Sequence, residues 1–196
     1  MSQEKRHLLA DTCRRMYAAG LVAAYGGNAS AWAGSAVLIT PSGTAMDEVE
    51  PEALLLVDER GRVLEGDGEP SSELRLHLAI YEAVPGAGGI VHCHPPAATA
   101  FASLGEGIRA VSLEGEKILG HIPIAPPLPH ASAELAEAVA RLARDSRVVL
   151  LPAHGLVARG DTVAQALRWA ELAEEMARVA LYREVLELCR KGVARP

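Results

Sequence analysis

Three histidines and one glutamate carry the most chemistry in this sequence. His92-Cys93-His94 closes an apolar run at residues 89–94, ahead of Pro95-Pro96, and that pattern predicts a strand. Side chains of a strand alternate between faces, so His92 and His94 share one face and Cys93 takes the other. Two imidazoles placed this way can grip one cation. His154 follows a second apolar run at 147–151 and precedes Gly155, at a strand end where site residues tend to sit. Three neutral imidazoles with an open fourth position make a catalytic zinc arrangement. Spacing alone does not make the three converge, and His-x-His pairs also occur without metal. Cys93, on the other face, reads as a small buried hydrophobe rather than a ligand.

Glu73 follows Ser71-Ser72 and opens a helical pattern of Leu74, His77, Leu78 and Tyr81. Two readings stand for it: a carboxylate favoured by the helix dipole, or a general base and metal ligand beside the open position. His77 lies one helical turn further on the same face, where it either packs or orients Glu73. His7, His121 and His130 have no constellation around them and read as structural or surface residues. Three short loops suit an anion through backbone N–H groups and hydroxyls: Gly26-Gly27-Asn28-Ala29-Ser30, Thr40-Pro41-Ser42-Gly43 and Ser71-Ser72. Each alone is also an ordinary turn.

The elements that must position these groups alternate along the chain. Residues 2–19 predict a helix stopped by Gly20. Residues 36–40 predict a strand, and 54–58 with 62–64 a hairpin around Glu59-Arg60-Gly61. A helix near 97–104, a strand at 121–125, a helix marked by Leu135, Val139 and Leu142, and a strand at 147–151 follow. Thr162 and Gln165 form a capping box that opens a long helix reaching about Cys189. No repeat or linker divides the 196 residues, so residues 1–196 are expected to form one α/β domain, its hairpin implying antiparallel pairs.

Composition narrows the partners. The formal charge is -6 with no Lys/Arg cluster, which argues against nucleic acid as the main partner. No apolar run is long enough to span a bilayer, and the polar N-terminus lacks a signal-peptide core. Cys13, Cys93 and Cys189 are few and scattered, which fits reduced thiols in a cytoplasmic protein.

Taken together, Gly27-Asn28-Ala29-Ser30, Thr40-Pro41-Ser42-Gly43, Pro70-Ser71-Ser72-Glu73, His92-Cys93-His94 and Ala153-His154-Gly155 resemble the class II aldolase and epimerase family, most of all its L-fuculose-1-phosphate aldolase branch. The resemblance runs from residue 2 to about 188. It implies α/β/α layers around a central, mostly antiparallel sheet, and a homotetramer with sites at subunit interfaces. It implies zinc, or another divalent metal, on His92, His94 and His154, with Glu73 as fourth ligand at rest and as acid/base in turnover. It places Gly27, Asn28, Ser42, Gly43, Ser71 and Ser72 around a substrate phosphate. The implied reaction splits a small phosphorylated ketose into dihydroxyacetone phosphate and a short aldehyde through a metal-stabilised enediolate.

Two departures stand out. The segment Val111-Ser112-Leu113-Glu114-Gly115-Glu116 lacks the tyrosine that this branch carries there, leaving Glu114 or Glu116 as substitutes or as plain surface carboxylates. The C-terminal extension that supplies another tyrosine is also not evident. Competing readings are a dehydratase of the methylthioribulose-1-phosphate type, then a pentose-phosphate 4-epimerase, whose branch carries aspartate where this chain has Glu73. A metal-free, adducin-like module ranks last because all three histidines and Glu73 are present.

Overall fold

The computed structural model describes residues 3–193, with side chains described through residue 191. Ser2, where the first helix was expected to open, lies outside the described residues. Seven strands form one sheet: β1 (Asn28–Trp32), β2 (Val37–Ile39), β3 (Leu55–Val57), β4 (Val63–Glu65), β5 (Gly89–Cys93), β6 (Val148–Leu151) and β7 (Gly155–Gly160). Their order is β4-β3-β2-β1-β5-β7-β6, and every neighbouring pair is antiparallel. The expected α/β/α layering around an antiparallel sheet is therefore the observed fold.

Alternation along the strands sorts their side chains into two cores. Ala29, Ala31, Val91, Cys93, Leu156 and Ala158 pack with helices α1 (Gln3–Ala18), α3 (Pro96–Ser103) and α6 (Val163–Val193). Val37, Ile39, Ile90, Val149 and Val157 pack with α2 (Leu74–Ala83) and α5 (Ala133–Leu142) on the other face. A short helix, α4 (Leu113–Ile118), lies against α6, where Gly115 leaves room for Met176. Strand β5 is central and wholly buried, so truncating Ile90 or Val91 to alanine should cost about 2–4 kcal/mol.

Three expectations need correcting. Residues 28–30 form β1 rather than a loop: Asn28-Ala29-Ser30-Ala31 has small side chains that fit beneath helices on both faces, a pattern with no β-branched signature. Residues 121–125 make only two isolated bridges, Ile108 with Ile122 and Ile124 with Leu150, because Pro123 has no N–H to extend a ladder. Helix α6 runs past Cys189 to Val193; its start does carry the expected box, with Gln165 accepting from the Asp161 N–H at 2.7 Å and Thr162 from the Gln165 N–H at 3.2 Å.

Candidate active site

The three histidines converge at one end of the sheet. His92 ends its alternation on the α2 face of β5, paired across the ladder with Asn28 of β1. His94 lies one residue past the strand, its N–H held by the Leu21 carbonyl at 2.9 Å. His154 sits in the tight β6–β7 turn. Gly155 is required there, since a Cβ would lie 2.3 Å from the Cys93 carbonyl oxygen. The three imidazole rings are mutually 4.7 Å apart, and one nitrogen from each falls within 4.8 Å of the others. Glu174 of α6, itself buried, accepts the Ala97 and Ala98 N–H groups at 3.2 and 2.9 Å, anchoring the start of α3 just beyond His94.

The donor set fits a cation on two observations. His92 Nδ1 lies 2.9 Å from the Leu156 carbonyl and must carry the proton to donate to it. Its Nε2 therefore presents a lone pair, 2.9 Å from His94 Nε2 and 3.1 Å from Glu73 Oε2. That carboxylate oxygen is buried and receives no hydrogen bond among the described residues, because a bare nitrogen cannot donate. Lone pairs converging on one point call for a positive charge between them. Burial, then the neighbouring imidazoles, pushes the His92 pKa well below its ordinary value. Burial also lowers His94 and His154, so all three favour the neutral, ligating form.

Glu73 occupies the N-cap position of α2, yet its side chain makes no capping bond. The buried carboxylate instead spans two sets of imidazoles. Oε2 faces His92, while Oε1 lies 2.8 Å from His130 Nε2 and 3.9 Å from His154 Nδ1. The sequence reading passed over His130, which is half exposed on the segment 126–132. Prolines 126, 127 and 129 stiffen that segment, and no local spacing ties it to the other histidines.

All three anion loops open onto the same cavity of about 170 Å³. Gly27, Asn28, Ser42, Gly43, Ser71 and Ser72 line it together with Glu73 and the histidines. The loops are tied to one another. Pro41 bridges Pro70, the Ser71 N–H donates to the Thr40 carbonyl at 3.1 Å, and Thr40 N–H to the Ala29 carbonyl at 3.1 Å. Gly27 takes φ +81° where a Cβ would strike Val22 and the His92 carbonyl, so only glycine lets β1 begin this close to β5. Ser71 Oγ already accepts the Glu73 N–H at 3.3 Å, whereas the Ser72 side chain is exposed. A larger groove of about 1180 Å³ lies between α2, α5 and the β3–β4 turn, but it holds no histidine and none of the converging lone pairs. Chemistry, not size, marks the smaller cavity as the candidate site.

His77 does not orient Glu73 through its ring. Its Nε2 lies 2.6 Å from Asn28 Oδ1 and its Nδ1 2.7 Å from Ser30 Oγ; burial drives its pKa down to about 3. Glu114 and Glu116 are exposed on α4, and neither lines the cavity. Tyr25, also missed from sequence, does line it. Among the described residues three non-glycine positions take a left-handed backbone, Ala24, Ala131 and Ala153, and each adjoins a cavity residue: Tyr25, His130 and His154. Such conformations cost on the order of 1 kcal/mol each and recur where a chain is bent to aim a functional side chain.

Residues 7–181 match the family model described as the class II aldolase and adducin N-terminal domain. The chain belongs to this family. Aldolases with which it aligns over most of its length make it a class II aldolase, a carbon–carbon lyase of a metal-dependent family. The L-fuculose phosphate aldolase of Methanococcus maripaludis is 33% identical over 167 residues, 85% of this aldolase and 91% of that one. The 5-methylthioribulose-1-phosphate/5-deoxyribulose-1-phosphate aldolase of Escherichia coli is 36% identical over 167 residues, 85% of this chain and 78% of its own. Among solved structures, the L-fuculose-1-phosphate aldolase from Thermus thermophilus superposes with a TM-score of 0.85 at 30% identity, covering 97% of this aldolase and 96% of that chain. Among the described residues no helix is long and apolar enough to cross a membrane.

Proposed function

We propose that this aldolase splits a phosphorylated ketose of the fuculose-1-phosphate kind into dihydroxyacetone phosphate and a short aldehyde, and joins them in reverse. One observation carries the reading: the cation-type cluster and three anion-type loops share a single cavity. Fuculose-phosphate and methylthioribulose- or deoxyribulose-phosphate relatives are both named for phosphorylated ketoses, and both are named aldolases rather than dehydratases.

His92, His94 and His154 would hold the metal, with Glu73 as fourth ligand at rest. Zinc is the first choice for three imidazoles and a carboxylate. When bound, the cation supplies Lewis acidity that draws charge from the substrate's carbonyl oxygen. Donors from Gly27, Asn28, Ser42, Gly43, Ser71 and Ser72 would hold the phosphate. Anchoring the ketose at two points fixes which carbon–carbon bond reacts. In cleavage the bond between the carbon beside the carbonyl and the next hydroxyl-bearing carbon breaks. Its electron pair moves toward the carbonyl, the hydroxyl proton passes to water in the solvent-open cavity, and an aldehyde is released. Glu73 then returns a proton to the carbon beside the carbonyl; in synthesis it removes that proton.

The cavity is small for a phosphorylated sugar and open to solvent, which supports a homotetramer whose neighbouring subunits complete each site. A cytoplasmic setting belongs to the same reading, supported by three free thiols.

The test is synthesis. Metal-saturated protein is given dihydroxyacetone phosphate with lactaldehyde or glycolaldehyde, and ketose phosphate is sought by phosphorus NMR. Product with at least one aldehyde is expected; none with either would contradict the reading.

A further inference from the structure

Asn28 is gripped from behind by a buried chain of hydrogen bonds. Its Oδ1 lies 2.6 Å from His77 Nε2, His77 Nδ1 lies 2.7 Å from Ser30 Oγ, and Ser30 Oγ lies 2.9 Å from the Tyr81 hydroxyl. All four residues are buried. An amide, a neutral imidazole and two hydroxyls can be linked in more than one direction, and the directions are not equivalent.

Run outward, Tyr81 donates to Ser30, Ser30 donates to His77 Nδ1, and His77 Nε2–H donates to Asn28 Oδ1. Every hydrogen of Tyr81, Ser30 and His77 in the chain then has an acceptor, and the Asn28 NH₂ group is left over. Run inward, the Asn28 amide nitrogen donates to His77, His77 to Ser30, and Ser30 to Tyr81. The Tyr81 hydrogen is then stranded, since Ser30 is the only hydrogen-bond partner of that hydroxyl among the described residues. If Tyr81 and His77 both donate to Ser30, the Ser30 hydrogen is stranded instead, because Ser30 has no third partner among them. A buried donor without an acceptor is strongly disfavoured, so only the outward run satisfies every hydrogen behind Asn28.

The far end of that run lies at the cavity. With Oδ1 turned inward to His77, the Asn28 NH₂ group is left over; it donates to nothing among the described residues, and Asn28 lines the cavity. Phosphate oxygens only accept hydrogen bonds, so the NH₂ group is the half of the amide that an anion can use. We propose that Ser30 and His77 are positioning residues whose one-way hydrogen-bond chain, with Tyr81 donating to Ser30 behind it, locks the Asn28 amide with its NH₂ group toward the substrate phosphate. The proposal rests on the reading of this cavity as a phosphate site.

Two measurements on the full, metal-loaded chain test it. Long-range ¹H–¹⁵N spectra read the His77 tautomer, its signals assigned by their loss in His77→Gln. The chain requires Nε2–H with a bare Nδ1; an Nδ1–H tautomer overturns it, whatever the protein catalyses. The second compares inorganic phosphate binding by calorimetry in wild type and Ser30→Ala, which keeps the imidazole and serves even if His77→Gln fails to fold. Without the Ser30 hydroxyl no donor holds His77 Nδ1 bare, and the amide can flip. Phosphate affinity should then fall about two- to tenfold as the competent orientation is depopulated. KM for the ketose phosphate should rise in parallel, with the change in kcat smaller and bound metal unaltered. Unchanged phosphate affinity in folded Ser30→Ala overturns the proposal. If wild type itself ignores phosphate, the phosphate-site reading falls, and the tautomer result remains separately legible.

Discussion

Two clusters of buried polar side chains meet where Asn28 faces His92 across β1 and β5, and they follow opposite rules. The cluster of His77, Ser30, Tyr81 and Asn28 is closed behind Asn28: in one direction every hydrogen of His77, Ser30 and Tyr81 in the chain finds an acceptor. The cluster of His92, His94, His154 and Glu73 is open: the bare His92 Nε2 faces Glu73 Oε2, which is buried and receives no hydrogen bond among the described residues. Both pay the desolvation of polar groups. The closed cluster recovers it within the protein and becomes rigid. The open one can recover it only from a ligand of opposite charge. A polar interior next to a site therefore divides into scaffold and socket according to where its lone pairs end.

Substitutions can break that division, beginning with the largest effect. His154→Ala removes one side of the socket. Metal content should fall sharply and turnover by about a thousandfold or more, because Lewis-acid catalysis contributes several kcal/mol. Retained metal with near-normal kcat would show that the socket lies elsewhere. Glu73→Gln leaves the three imidazoles intact, so the metal should stay while kcat drops about 10²- to 10⁴-fold, the range for a lost general acid–base group. Ser30→Ala opens the closed cluster without touching the socket. It strands the Tyr81 hydrogen and removes the His77 partner, and urea denaturation should show a loss of about 1–3 kcal/mol with metal still bound. Stability equal to wild type would mean the closed cluster contributes no rigidity.

Acid gives the gentlest test. His77 is held neutral by burial with a pKa near 3, against an ordinary value of 6.5. Between those values the unfolded chain takes up a proton that the folded chain refuses. Stability from this group is complete above pH 6.5 and declines as pH falls toward 3, with a limiting slope of about 1.4 kcal/mol per pH unit. Denaturation of metal-free protein at about pH 6.5 and 5.5 should show the decline, and His77→Gln should flatten it by up to about one proton's worth. An unchanged slope in that variant would remove His77 from the account.

Much of this was legible in the sequence because it depends on local pattern. Alternation placed His92 and Cys93 on opposite faces, and the structure puts Cys93 in the α1–α3–α6 core with its thiol pKa pushed up by burial. The Thr162–Gln165 box and the β3–β4 hairpin are also local and appear as expected. Strand β1 was hidden because Asn28-Ala29-Ser30-Ala31 lacks bulky β-formers; tight packing on both faces, not propensity, makes it a strand. Residues 121–125 misled in the other direction: Ile122 and Ile124 suggested a strand that Pro123 prevents from pairing continuously. His130 was invisible for a different reason. It reaches Glu73 from 57 positions away in the chain, on a proline-stiffened loop, and nothing in its neighbours encodes that distance. These aiming turns leave no sequence signal either: the structure puts an alanine, not a glycine, at positive φ beside each of Tyr25, His130 and His154.

The central claim is that the open cluster is a cation socket and the closed one is not. Metal analysis after metal-replete purification addresses it directly, on wild type, His92→Ala and Ser30→Ala side by side. The account predicts about one divalent ion per chain in wild type and in Ser30→Ala, and almost none in His92→Ala, as a three-imidazole site requires. Wild type with well under one ion per chain, or His92→Ala retaining its ion, would contradict it.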